Sequence, residues 1–400
     1  MAMKLWDRKG VKLKREIEDF AVGNETQVDQ AIVYYDCIAS IAHARMLQKI
    51  GVLTSQELSR VVHALKELVS IDRQGSFKIK KEEEDCHTAI ENYLAEKLGD
   101  IGKKIHAGRS RNDQVAAALR LYEKHELEEV KSSVSLLLSS LKLFQKKNAK
   151  VPIPGYTHLR KAMPFSVGGW AQAFIESLQD DLILLENAAK LVDQNPLGSG
   201  AGYGVPVIAV DRKLTAKELG FAKVQESPLY VQNSRGKFEL VILDAINYVM
   251  LDLNKLASDI WLYTSGEFGY FQLPKEFSMG SSMMPQKVNP DVIELLRAKA
   301  SVVAGYRETV SRIIQGLPSG YHGDFKLTKE PLMRAFEAVN SSLKIAALII
   351  GGLKVDDQRC RAAMTKELYA TEEALKLVKQ GIPFREAYRK VAESLGSRKQ

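Results

Sequence analysis

Apolar residues recur along this chain at alternating intervals of three and four, over stretches far longer than an average helix. Between Gln114 and Val151 there is neither glycine nor proline, and Val130, Val134, Leu137, Leu141 and Phe144 form an unbroken 4-3-4-3 series, with Leu119 upstream. The pattern returns from Phe174 through Leu178, Leu182, Leu185, Ala189 and Val192. Lys237 to Ser265 is again free of helix breakers, with leucine and isoleucine on most faces. Such spacing predicts helices, because 3.6 residues per turn bring these positions onto one stripe. A helix of about 30 residues runs roughly 45 Å and cannot bury its stripe alone, so several must lie side by side. No run of alternating apolar and polar residues predicts a strand. The expectation is an all-α chain: a helical domain over residues 1–107, a long-helix bundle over 108–354 and a small helical domain over 355–400. The Lys237 to Ser265 stretch carries more apolar surface than a monomer would hide, which predicts burial against other subunits.

Composition narrows the partners. With 400 residues, 45% of them hydrophobic, the chain has ample material for a large core. Its net charge of +8 directs attention to anions. The basic residues are dispersed, however, and the densest run, Lys78, Lys80 and Lys81, leads straight into Glu82, Glu83, Glu84 and Asp85. That suits small di- or tricarboxylates better than nucleic acid, and no zinc finger, RNP motif or arginine-rich arm argues for the latter. Cys37, Cys86 and Cys360 are too sparse for a disulfide framework or a cysteine-rich metal site, which predicts a reducing, cytoplasmic setting. The charged start, Met1 to Glu16, lacks the apolar core of a secretion signal. The longest apolar run, Ala346 to Leu353, is too short to span a bilayer. No metal cluster or nucleotide loop stands out, so no metal or cofactor is expected.

Three polar segments read as standing just before long helices. The first is His106 to Gln114, with Arg109, Ser110, Arg111 and Asn112; the second is Pro154 to Leu159, with Thr157 and His158. The third is Gly280 to Pro290, with Ser281, Lys287 and Asn289, where Asn289 is expected to cap the next helix and Pro290 to open it. Helix starts carry unpaired N–H groups and partial positive charge, so three that converge would form an anion site. Arg109 and Arg111 would add bidentate carboxylate contacts, and Lys287 a point charge. Plain capping would also explain Asn, Asp and Ser at these starts, and His158 or a doubled arginine can equally be structural. The Gly280 to Pro290 segment goes further. Two serines, two methionines, a lysine and an asparagine between glycine and proline suit neither helix nor strand, and read as a mobile loop.

GSSMMPQKVNP resembles the G-S-S-x-M-P-x-K-x-N-P signature of the fumarase/aspartase superfamily. HAGRSRNDQ is similar to the H-T-G-R-S-R-N-D-Q pattern of its argininosuccinate lyase branch, which fumarases and aspartases lack, and GYTHL matches that branch's G-Y-T-H-L-Q. Glu84 to His87 with Glu91, Asn195 to Ala201 and Gly381 to Arg385 extend the likeness along nearly the whole chain. The resemblance implies a three-domain, all-α fold whose long helices build a core of about twenty helices in a homotetramer, with active sites shared between subunits. It implies β-elimination without a cofactor: a base takes the proton beside a carboxylate, the aci-carboxylate is stabilised, and the C–N bond breaks. From argininosuccinate this yields arginine and fumarate. By the same resemblance Ser281 is the base, Lys287 and Asn289 hold the carboxylate that gains charge, and His158 pairs with Glu294 to deliver or relay a proton. Ser110, Arg111, Asn112, Thr157, His87, Tyr321 and Lys329 fall at substrate contacts. Ala107, Arg160, Val288 and Lys326 stand where the branch has Thr, Gln, Lys and Gln, and the C-terminal domain is expected to be short. A sister lyase acting on another N-substituted aspartate is the neighbouring reading, and a crystallin-like structural role the one from a different class.

Overall fold

A computed structural model describes residues 14–396; residues 1–13, which include most of the charged start, and residues 397–400 lie outside the described residues. Five long helices dominate: Arg111–Asn148, Val167–Val192, Lys237–Tyr263, Asp291–Ile314 and Lys329–Gly352. The first has 38 residues and runs about 57 Å. Its periodic stripe is its buried face, since Leu119, Val130, Val134, Leu137, Leu141 and Phe144 all lie inside. On the second, Phe174, Leu178, Leu185 and Val192 are buried, and Leu182 and Ala189 are half-buried at the margin of the stripe. Shorter helices begin on well-formed caps. Thr54 and Glu57 make a reciprocal capping box at the start of Ser55–Arg73, and Asp85 accepts the Thr88 N–H (2.8 Å) at the start of Cys86–Leu98.

The chain forms two compact units. One takes residues up to Val130 with Leu184–Ile246 and Ala304–Glu337; the other takes Lys131–Ile183, Asn247–Val303 and the chain from Ala338 onward. In the first unit Ala39, Ala42, Ala117 and Ala216 join Leu197, Leu219 and Phe221 in one core cluster. Alanine on facing helices lets their backbones approach closely. In the second unit Phe144, Trp170, Tyr263 and Phe271 pack edge to face at 5.1–6.0 Å for the neighbouring pairs of Trp170, Phe144 and Phe271, and the Trp170 indole N–H donates to Asp259 (2.9 Å).

The structure adds strands where none was expected. Pro152–Thr157 and Arg160–Ser166 form an antiparallel hairpin, with Pro154 opposite Pro164. Prolines hide this hairpin from pattern reading, yet a two-stranded ribbon has a free edge on each strand and tolerates them. Three further two-residue ladders pin loops: Gln194–Asn195 with Lys223–Val224, Phe271–Gln272 with Lys354–Val355, and Met279–Gly280 with Val288–Asn289. One stretch, Gly323–Gly352, is longer than the apolar run seen in the sequence and has the length and mean hydropathy (1.2) of a bilayer span. Half of it is buried within the chain, with Leu332, Phe336, Val339 and Leu343 fully enclosed, as in a core helix.

Candidate active site

The first polar segment caps its own helix. The Ser110 carbonyl accepts the Gln114 N–H (3.1 Å), its hydroxyl accepts the Asn112 N–H (3.3 Å), and Asp113 reaches back to the Ser110 N–H (2.9 Å). Asp113 is fully buried and also accepts the Gly198 and Gly200 N–H groups (2.9 and 2.8 Å), which ties this helix start to the Asn195 to Ala201 loop. Both glycines are left-handed (φ 85° and 62°), a backbone that turns their two N–H groups toward one oxygen. Burial pushes the Asp113 carboxyl up to about 6, against the N–H groups that favour its charge.

The two arginines part company. The Arg109 side chain is fully buried and donates to Ser40 Oγ (2.9 Å) and Glu91 (3.5 Å), so it is an interior cation and not the open carboxylate clamp expected of it. A buried guanidinium needs such partners, and helices distant in sequence supply them. Arg111 stays partly open, 31% exposed, with Nη1 3.1 Å from Asp85 and 3.6 Å from Glu84, and Nη2 2.6 Å from Thr88 Oγ1. Beside this segment His87 is buried with Nδ1 2.9 Å from Asp36. Burial opposes the imidazolium, but Asp36, and behind it Asp85 and Asp29, outweigh burial and raise its pKa. Asp36 is likewise buried, yet His87 and Arg109 hold it below the usual carboxylate range, and the Gln114 amide lies 3.0 Å from both its oxygens. Asp36 is missing from the expected set. It lies in Val33–Lys49 among Val33, Cys37 and Ile41, and its only sequence signal is a carboxylate inside an apolar run.

Lys329 is also interior, 2% exposed, with its ammonium bonded to Glu25 and Asp29. Asp29 accepts the Cys86 N–H as well (3.3 Å), which joins Lys329 to the His87 segment. Burial works against the ammonium, but Asp29 and Glu25 prevail and its pKa is raised. Burial keeps the Glu25 carboxyl raised despite Lys329. A substrate carboxylate would have to join or displace these internal partners. Asp29, Cys86 and His87 offer ligand atoms within 4.8 Å of one another. However, Lys329 holds Asp29, Asp36 holds the imidazole, and burial pushes the Cys86 thiol far up, so the cluster is built around an ammonium. Tyr321 is half-buried with its ring 5.9 Å from Phe325, over which the Arg235 guanidinium lies at 5.6 Å.

In the second unit, Thr157 pairs with Arg160 and leaves His158 and Leu159 as the two-residue hairpin turn, at φ 54° and 55°. This is the turn usually filled by Asn-Gly, and side chains held there store roughly 1–3 kcal/mol each. Thr157 and His158 thus sit at a hairpin tip and not at a helix start, separated from Val167–Val192 by a return strand of 7 residues.

Gly280 to Pro290 is a small hairpin too. Met279–Gly280 pairs with Val288–Asn289, and Ser281 N–H donates to the Lys287 carbonyl (3.2 Å). The Ser281 hydroxyl oxygen accepts N–H groups from Met283 (3.4 Å) and Met284 (3.1 Å). Two backbone dipoles on one hydroxyl oxygen favour its alkoxide. Asn289 does not cap the helix. The Pro290 carbonyl accepts the Ile293 and Glu294 N–H groups (2.8 and 3.3 Å), so Pro290 is the cap and Asp291 opens the helix. The pairing with Met279 draws Asn289 into the ladder and displaces the cap by one residue. Lys287 and Glu294 are exposed, and among the described residues no hydrogen bond or ion pair joins Glu294 to His158. Ser110, Arg111, Asn112, His87, Tyr321 and Lys329 therefore belong to one unit, and Thr157, His158, Ser281, Lys287, Asn289 and Glu294 to the other.

Comparison with known proteins defines the class first. Residues 9–305 match the family described as Lyase. The chain superposes on a crystal structure of EDDS lyase in complex with formate with a TM-score of 0.81, at 22% identity, covering 96% of this chain and 76% of that one. Against recombinant class II fumarase from Schistosoma mansoni the TM-score is 0.80 at 20% identity, covering 96% and 93%. These define a lyase with the all-α fold of the fumarase/aspartase superfamily. Argininosuccinate lyase of Thermotoga neapolitana is 48% identical over 399 residues, covering 100% of both chains. The chain belongs to the argininosuccinate lyase family.

Proposed function

We propose that this chain is a carbon–nitrogen lyase that splits argininosuccinate into arginine and fumarate by β-elimination. The observation that carries the reading is the Ser281 hydroxyl, whose oxygen accepts two backbone N–H groups within the signature loop. A serine is a poor base unless its anion is stabilised, and those two donors supply that stabilisation. Ser281 takes the proton on the carbon beside a carboxylate. Lys287 and Asn289, on the same hairpin, meet the carboxylate that gains charge in the aci-form. His158, presented on the strained turn, relays a proton toward the leaving nitrogen, with Thr157 beside it; the pairing with Glu294 that the resemblance implies is not made within the described residues and would have to form between subunits. Ser110, Arg111 and Asn112 bind substrate carboxylate at the helix start: Arg111 has five N–H donors, and Asp85, Glu84 and Thr88 engage only some of them. His87, Tyr321 and Lys329 complete the binding set. Lys326 is half-buried where the resemblance has glutamine.

The same reading places the chain in a homotetramer in the cytoplasm, with active sites shared between subunits. Leu143, Ile183, Leu251, Leu295, Val302 and Leu348 stand exposed on the long helices, and apolar area of this kind favours burial by about 25 cal/mol per Å². Three buried free cysteines fit a reducing compartment.

The test is fumarate formation, followed by ultraviolet absorbance, from argininosuccinate, aspartate and adenylosuccinate offered separately. Turnover of argininosuccinate alone is expected; fumarate from another amine, or from none, overturns the substrate. Arg111→Ala is expected to raise KM by roughly 10- to 100-fold with a smaller change in kcat, since a carboxylate contact is made in ground and transition states alike. An unchanged KM would mean that Arg111 serves only Asp85 and Glu84.

A further inference from the structure

A cavity of about 540 Å³ lies among Tyr156, Lys161, Glu267, Phe268, Tyr270 and Arg359, none of which takes part in the proposed reaction. All six belong to the second unit. Aromatic rings line it: Tyr156 is 5.6 Å from Phe268, Phe268 is 5.5 Å from Tyr270, and the two tyrosine hydroxyls are bonded at 2.7 Å. Two cations line the same cavity. Lys161 Nζ donates to the Ala363 carbonyl (2.7 Å), and Arg359 Nη1 donates to the Gly266 carbonyl (3.1 Å). The guanidinium lies across Gly269, at φ +58°, where a Cβ would come within 2.3 Å of Nη1. A bare α-carbon and a carbonyl thus set the guanidinium in place.

The charges of this cavity are not spent on one another. Among the described residues no ion pair engages Lys161, Arg359 or Glu267, whereas the neighbouring Arg361 is paired with Asp357 (2.9 Å). Backbone carbonyls orient both cations without neutralising them, and each keeps donors to spare. Two cations and one carboxylate leave the lining at +1. Its volume falls within the roughly 300–1,000 Å³ usual for small-molecule sites. A ligand with two carboxylates and one ammonium group, net −1, is the electrostatic complement. We propose that this cavity binds a small amino dicarboxylate, with its carboxylates on Arg359 and Lys161 and its ammonium on Glu267 and the aromatic faces. The inference does not depend on which substrate the lyase reaction uses.

Calorimetric titration of the full chain with L-aspartate and with succinate tests it. Aspartate is expected to bind more tightly than succinate, which lacks the ammonium. Arg359→Ala should weaken aspartate binding roughly tenfold or more, as loss of a charged hydrogen bond does. Lys161→Ala should weaken it in the same direction. Glu267→Gln should abolish the preference for aspartate and spare succinate. The two substituted cations and Glu267 are exposed, so the fold should be retained, with circular dichroism as the check. The proposal is overturned if aspartate does not bind at millimolar concentration, or if Arg111→Ala weakens binding while Arg359→Ala does not, which would place the ligand in the reaction site. Equal affinity for aspartate and succinate would overturn the ammonium contact.

Discussion

Ser281→Ala is expected to abolish measurable turnover, a loss of at least about 10²- to 10⁴-fold, while helix content and oligomeric state stay as they are. Among the described residues the hydroxyl accepts only the Met283 and Met284 N–H groups, in a loop whose neighbours Met283, Met284 and Lys287 are exposed. Once the hydroxyl is gone, water can satisfy those two donors, so the stability change should stay within about 0.5 kcal/mol. A large loss of kcat at nearly constant stability is what removal of a base looks like, because the contact matters only when the proton moves. The adjacent Ser282, exposed, supplies the control: Ser282→Ala should retain most activity. Near-normal kcat in Ser281→Ala would remove the base from this loop altogether.

The second large effect should appear in stability. Lys329→Met removes the ammonium that Glu25 and Asp29 share, leaving two buried carboxylates without a cation. Breaking a buried pair from one side costs about 3–5 kcal/mol, which a denaturant midpoint at neutral pH would report. The pH dependence follows from the direction of the shifts. The Lys329 pKa is raised, so its stabilisation is fully present below the ordinary lysine value and is lost only as pH rises through the raised folded value. In the variant the buried Glu25 carboxyl, whose pKa burial already raises, loses its uncompensated charge on protonation. The gap between variant and parent should therefore narrow as pH falls toward about 5. A deficit below about 1 kcal/mol, or one that does not respond to acid, would show that the ammonium is not the counterion of these carboxylates. KM measured on the folded variant then reports separately on the substrate contact proposed for Lys329.

The sequence by itself determined the all-α class, the long helices and most of their buried stripes. Helix geometry is local: 3.6 residues per turn places Val130, Val134, Leu137, Leu141 and Phe144 on one face whatever they pack against, and all five are buried. It also singled out Gly280 to Pro290 as a candidate loop, because that segment suits neither a long helix nor a long strand. What the tertiary structure alone decided was which polar group met which. Arg109 and Arg111 are two residues apart and alike in the sequence, yet one closes on Ser40 and Glu91 inside the protein while the other stays partly open. Asp36 is absent from the expected site residues, and only folding brings it against His87, 51 positions away. Lys329 falls at a substrate contact by resemblance, and only the fold shows Glu25, 304 positions away, enclosing its ammonium. His158 and Leu159 adopt a left-handed turn that their own preferences oppose, because the paired strands on either side impose it. Periodicity is a property of neighbours along the chain, whereas pairing, burial and strain depend on residues brought close only by folding.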